Sequence, residues 1–272
     1  MFVRSIGAFA ALLVVASCTT GPDISVSESD TSVPTQWETD PDIRIATLDN
    51  GLTVYLRENE TPGREAQLRL VIDAGSAAEG DGPTGLAHFL EHMMFNGTER
   101  FPANELTDAL ADFGSEFGAD VNAYTTYDET VYTLSLPSSM TALGTGLDIL
   151  REWLTAATLD PVQVEKERGV IVDEWRQSEQ DQSGRIFDSI EQLFFEGSPY
   201  AGRDPIGTEA DIASITSDDL RAFYDRWYRP EHAALVVVGD FTADKVFAEI
   251  EQRFADVEGR GSGGPALQTS WQ

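Results

Sequence analysis

The spacing of apolar and polar residues changes along the chain, and each change of period marks an element. Residues 67–72 (QLRLVI) alternate and then run apolar, as a half-buried strand does. Strand-like runs at 43–46 and 52–56 flank Asp49-Asn50-Gly51, which predicts a hairpin. Glycines and Pro83 break residues 74–85 into a loop, and an apolar helical stretch follows from Thr84 to Met94. Pro102 opens a second helix that Gly114 ends. Residues 119–124 and 130–136 read as two more strands, and apolar positions recur at helical spacing over 138–157. Pro161 starts a helix that continues through Glu174. A helix near 217–227, a buried strand at 233–238 and a last helix near 243–254 complete the pattern. Hairpin-connected strands with helices grouped around them make an α+β domain.

The two ends fall outside this pattern. Residues 6–15 (IGAFAALLVV), after Arg4, are too short to span a membrane and have the length of a signal-peptide core. The following Val15-Ala16-Ser17-Cys18 resembles a bacterial lipoprotein cleavage box, and Cys18 is the sole cysteine. Residues 1–18 are therefore expected to be a lipoprotein signal peptide. Lipidation of Cys18 with more than one acyl chain would suffice for stable membrane anchoring. The expected location is the bacterial cell envelope, lipid-anchored and facing the periplasm. Residues 19–41, rich in Ser, Thr, Asp and Pro, read as a flexible tether. Residues 42–256 form the expected folded domain, which must be held by packing because one cysteine allows no internal disulfide. Residues 257–272 are glycine-rich and read as a linker to a further C-terminal part, so the chain is expected to be the N-terminal piece of a longer protein. With 47 acidic and 18 basic residues, the net charge of −29 excludes a nucleic-acid surface. The acids are spread along the chain, which fits a solvated surface suited to a salty habitat better than a trap for basic peptides.

One stretch carries chemistry. In His88-Phe89-Leu90-Glu91-His92 the two histidines lie four apart, on one helical face, and can present two imidazoles to one zinc ion. Glu91 shares that face but is displaced from the ligand axis, where a general base belongs. A catalytic zinc usually takes three protein ligands and keeps a position open. His232 borders a buried strand and Cys18 sits at the membrane, so a carboxylate is the expected third ligand. Its best source is the helix VEKERGVIVDEW at 164–175, where Glu167 and Glu174 lie seven apart, about two turns, with Val170 and Ile171 between them. Those apolar neighbours are expected to turn the face inward, and two inward carboxylates need a cation. Spacing alone does not choose between the two.

Residues 75–98 (GSAAEGDGPTGLAHFLEHMMFNGT) resemble the signature of the pitrilysin/insulinase family, the inverzincins. Residues 165–175 (EKERGVIVDEW) resemble its second motif. The likeness continues through residues 120–125 (DVNAYT), Tyr132 and Tyr228-Arg229-Pro230 to Gly239-Asp240, covering about 42–255. It implies a mixed or antiparallel sheet with helices packed on it, as in the mitochondrial processing peptidase domain. It implies one zinc per domain bound by His88, His92 and Glu174, Glu91 as general base, and Glu167 as an outer carboxylate. It implies a zinc metalloendopeptidase acting on peptides or unfolded polypeptides, whose backbone adds to a strand here represented by Asn122, Ala123 and Tyr124. It also implies a homologous C-terminal half, or a partner subunit, that closes over the zinc half. Without that half the fragment alone is not expected to be fully active.

Two rivals differ in class. S-ribosylhomocysteine lyase also uses an inverted histidine motif but needs a cysteine ligand, which a lipidated Cys18 cannot supply. A non-catalytic lipoprotein scaffold subunit would be expected to have lost motif residues, and all are intact here.

Overall fold

The Asn50-Gly51 turn closes a hairpin as its sequence predicts. β1 (Ile43–Thr47) and β2 (Thr53–Glu58) pair antiparallel, with Gly51 at φ +94°. This computed structural model describes residues 39–259 apart from 103–104, 181–185, 187–188 and 191–192. The expected signal peptide, Cys18, nearly all of the tether and the linker beyond Gly259 lie outside the described residues.

Four further strands follow: β3 (Glu65–Ile72), β4 (Val121–Thr125), β5 (Thr130–Pro137) and β6 (Ala233–Gly239). The six form one sheet in the order β1-β2-β6-β3-β5-β4. Only β2 and β6 pair in parallel, so the sheet is mixed, as expected. Alternation decides its faces. Ala66, Leu68, Leu70 and Ile72 of β3 are buried with Tyr132, Leu134 and Leu136 of β5 and Leu235 and Val237 of β6. Glu65, Gln67 and Arg69 of β3 point the other way and are exposed.

Helices cover the apolar face. The helices include α1 (Leu86–Met93), α2 (Glu105–Ala111), α3 (Met140–Thr155), α4 (Pro161–Gln180), α5 (Glu209–Ser214), α6 (Ser217–Trp227) and α7 (Ala243–Phe254), some packed on the sheet and others on neighbouring helices. α3 packs on β3 and β5, α7 on β2, and α1 on β4 and β5. α3 starts where Ser139 caps the Ala142 N–H at 3.2 Å, and α6 starts with a capping box between Thr216 and Asp219. α5 was not legible in the apolar spacing. Its six residues hold one fully buried side chain, Ile212, and it is set by its Thr208 cap.

α1 is apolar on most of its circumference. Leu86, Ala87, Phe89, Leu90 and Met93 are buried, which leaves His88, Glu91 and His92 as a polar stripe. Its N-cap, Gly85, has φ +91°, and a Cβ there would lie 2.7 Å from the Ile206 carbonyl oxygen, so only glycine fits. Glycine offers no capping side chain. Glu79 supplies it from the preceding loop, accepting the Gly85 and Ala87 N–H groups at 3.1 and 3.0 Å. Burial nevertheless pushes its carboxyl up to about 7. At the other end, Trp153 Nε1–H donates to the Met94 carbonyl at 2.9 Å. The helix that carries the motif is thus tied at both ends.

Candidate metal centre

α4 crosses α1 and is held there by Arg168. Its guanidinium lies 5.6 Å from the Phe89 ring centre of α1 and donates to the Ile215 carbonyl, beyond α5, at 2.6 Å. Val164 and Ile171 bury one side of α4, and Glu167, Val170, Glu174 and Ser178 line a cleft on another. The expectation for Val170 needs correction. It is 51% exposed and does not turn the helix face inward, since of the two only Ile171 reaches the core. The two carboxylates consequently differ: the Glu174 side chain is 49% exposed, whereas that of Glu167 is 13% exposed.

The cleft, of about 880 Å³, brings together α1, α4 and β4. Three donor atoms converge in it. His88 Nε2 and His92 Nε2 are 3.2 Å apart, and Glu174 Oε2 lies 3.5 Å from His92 Nε2 and 3.8 Å from His88 Nε2. Donors about 2.0–2.1 Å from a tetrahedral zinc stand about 3.4 Å apart, so this triangle has the size such an ion needs. Its chemistry fits as well. Two imidazole nitrogens that face each other can share at most one proton, and a cation satisfies both lone pairs. The three residues form the one such group among the described residues.

Outer contacts fix the His92 ring, whereas His88 Nδ1 is buried without a hydrogen-bond partner among the described residues. His92 Nδ1 meets Glu167 Oε1 at 2.9 Å, which leaves Nε2 to face the cleft. Asn96 Nδ2 donates to Glu167 Oε2 at 2.8 Å and to the His92 carbonyl at 3.1 Å. The two histidines titrate apart. Burial, then the neighbouring His92, pushes His88 down to about 4. Burial opposes protonation of His92 too, but the Glu167 and Glu174 carboxylates raise it to about 9. Glu174 is held below the usual carboxylate range, chiefly by its hydrogen bond with His92. Glu167 is also lowered, its bonds to His92 and Asn96 outweighing burial.

Glu91 stands beside the triangle and outside it, 8% exposed. Burial raises its carboxyl, and its Oε2 accepts the Thr125 hydroxyl at 2.6 Å. β4 is the sheet's last strand and borders the cleft with Asn122, Ala123, Tyr124 and Thr125. By register, Ala123 and Thr125 share the face of Tyr132 and Thr130, towards α1, while Asn122 and Tyr124 pair with Thr133 and Val131 and project from the other face. The Ala123 N–H is taken by Asn122 Oδ1 at 2.9 Å. His232 lies apart from the cleft, packed on Trp227 at 5.3 Å between ring centres.

All five expected catalytic and ligand side chains therefore meet in one cleft. Spacing had not drawn out Glu79, Asn96 or Thr125 as contacts of the site. Glu79 and Thr125 act from a loop and another element, and the Asn96 bond to Glu167 spans 71 residues, so a helical-face argument reaches none of these contacts.

Comparison with known proteins identifies a family. The family described as insulinase (peptidase family M16) matches residues 54–203, more than half of the chain, and the peptidase M16 inactive domain matches 214–270. A "Probable zinc protease PqqL" of Escherichia coli (strain K12) is 40% identical over 209 residues, 76% of this chain and 22% of that protein. A "Zinc protease PQQL-like" of Arabidopsis thaliana is 38% identical over 211 residues, 77% of this chain and 22% of its own length. The crystal structure of the first half of the periplasmic protease PqqL from Escherichia coli superposes with a TM-score of 0.80 at 37% identity, covering 85% of this chain and 49% of that one. The chain thus spans about a fifth of these full-length relatives. With its mixed sheet, one-sided helices and HFLEH stripe, the chain belongs to the insulinase family of peptidases, family M16.

Proposed function

We propose that this chain carries the metal centre of a zinc-dependent metalloendopeptidase that hydrolyses peptides or unfolded polypeptides. The observation that carries this reading is the triangle of His88 Nε2, His92 Nε2 and Glu174 Oε2 beside an acid that takes no part in it. His88, His92 and Glu174 would hold a zinc ion, which when bound would supply Lewis-acid polarisation of a carbonyl and a lowered pKa for water near neutral pH. Glu91 accepts a proton from the attacking water and returns it to the departing amine. Glu167 keeps His92 in the tautomer that presents Nε2 to the cleft, and Asn96 keeps Glu167 in place. The substrate backbone pairs with the free edge of β4 at Ala123, displacing the Asn122 side chain from the Ala123 N–H. Asn122 and Tyr124 contribute from the flank of that strand.

The relatives are four to five times longer than the matched region, which supports a further half, or partner subunit, closing the cleft. The description of PqqL as periplasmic supports a periplasm-facing envelope enzyme, and the Val15-Ala16-Ser17-Cys18 box is the ground for an anchor at Cys18. Replacing Cys18 with Ser is expected to abolish incorporation of a palmitate analogue and to move the protein out of the membrane fraction. Equal labelling of both forms would refute the anchor.

The full-length enzyme is expected to hold about one zinc in this domain and to cleave an unstructured peptide of about 20 residues. Chelation should stop cleavage and added zinc restore it. Cleavage that persists after the metal has been removed would overturn the reading.

A further inference from the structure

Glu91 is an acid of the cleft whose carboxylate is held by a hydroxyl. Among the described residues, Thr125 is the side chain hydrogen-bonded to its carboxylate, with Oγ1 2.6 Å from Oε2. That length is that of a short O–H···O hydrogen bond. Thr125 is itself immobilised from both directions. It pairs with Thr130 across β4 and β5, and the turn that follows is tied by Thr126 Oγ1, which accepts the Glu129 N–H at 3.2 Å. The same turn is fastened to the loop before α1, where the Ser76 and Ala77 N–H groups donate to the Thr126 and Tyr127 carbonyls at 3.0 and 2.9 Å.

We propose that Thr125 is a positioning residue for the reaction, fixing the Glu91 carboxylate through Oε2 so that Oε1 is left to exchange protons with water and leaving group. The inference rests on the peptidase reading and adds a link that reading lacks. Thr125 lies two residues along β4 from Ala123, the point proposed to hold the substrate backbone. One short strand therefore sets both the place of the scissile carbonyl and the direction of the base. A glutamate has three side-chain torsions to order, and a base that must find its orientation in each turnover forfeits the advantage of being held in place. Thr125 bonds Glu91 and is not one of the three metal donors, so its effect should appear in the chemical step.

The test compares Thr125→Val and Thr125→Ser in the full-length enzyme. Valine keeps the β-branched shape and removes the hydroxyl, whereas serine keeps the hydroxyl. Thr125→Val is expected to lower kcat about 10- to 100-fold, equivalent to about 1.4–2.7 kcal/mol of barrier. KM and bound zinc should stay at wild-type values. Thr125→Ser should regain most of the lost rate. A crystal structure of Thr125→Val should show the Glu91 carboxylate turned from its wild-type orientation, a readout independent of turnover. The proposal is overturned if Glu91 is unmoved in that structure, if serine is as impaired as valine, or if the loss falls on KM or zinc content. Absence of chelator-sensitive cleavage in the wild type would instead count against the peptidase reading, and the orientation of Glu91 would still decide the role of Thr125.

Discussion

Glu91→Gln is expected to keep the fold and the zinc while losing peptide hydrolysis by about 10²–10⁴-fold. The side chain is 8% exposed and lies beside three donors that already satisfy a zinc ion's usual need of protein ligands, so removing its charge leaves the triangle intact. Glutamine is nearly isosteric, and its carbonyl oxygen can still accept the Thr125 hydroxyl. What it cannot do is take up a proton. Metal analysis and peptide cleavage, measured on the same preparation of the full-length enzyme, check both halves of the expectation. Wild-type cleavage by the variant would remove Glu91 from the mechanism. Loss of zinc would make it a ligand.

Much of the fold was legible because the sequence signals were local. Asn50-Gly51 between two apolar runs specifies a hairpin, and the alternation within residues 67–72 specifies which face of β3 is buried, whatever lies far away. The histidine pair was legible for the same reason, since residues four apart on a helix are neighbours before any tertiary contact forms. The meeting of α1 with Glu167 and Glu174 was inferred from a need, two histidines short of a ligand and two carboxylates short of a cation, and the cleft brings these side chains together. What escaped was set by tertiary packing. Thr125 and Glu91 are 34 residues apart, and Asn96 and Glu167 are 71 apart, so no periodicity joins them. Val170 shows the limit from the other side. Helical spacing placed it correctly beside Glu167 and Glu174, but whether that face met the core or an open cleft depended on what packed against it, and the cleft won.

That cleft geometry also separates the two glutamates of α4, which spacing could not. Glu174→Gln should cost the enzyme most of its zinc, whereas Glu167→Gln should retain metal with an affinity lower by about 10- to 100-fold. Glu174 Oε2 lies on the cleft side of both rings, within 3.8 Å of each Nε2, so it is placed to share a cation with them. Glu167 meets the opposite nitrogen of His92, Nδ1, and acts on the metal only by orienting that ring. Its second oxygen is occupied by Asn96. A glutamine at 167 has a single carbonyl oxygen for two donors, His92 Nδ1–H and Asn96 Nδ2, and its amide would set donor against donor at one of them. The His92 ring then loses one support but keeps its place on α1. A glutamine at 174 removes the anionic donor itself, leaving two neutral imidazoles to hold a divalent cation in a half-exposed cleft. Competition with a chromophoric zinc chelator gives the two affinities directly. If Glu167→Gln lost zinc while Glu174→Gln kept it, the roles of the two carboxylates would be exchanged.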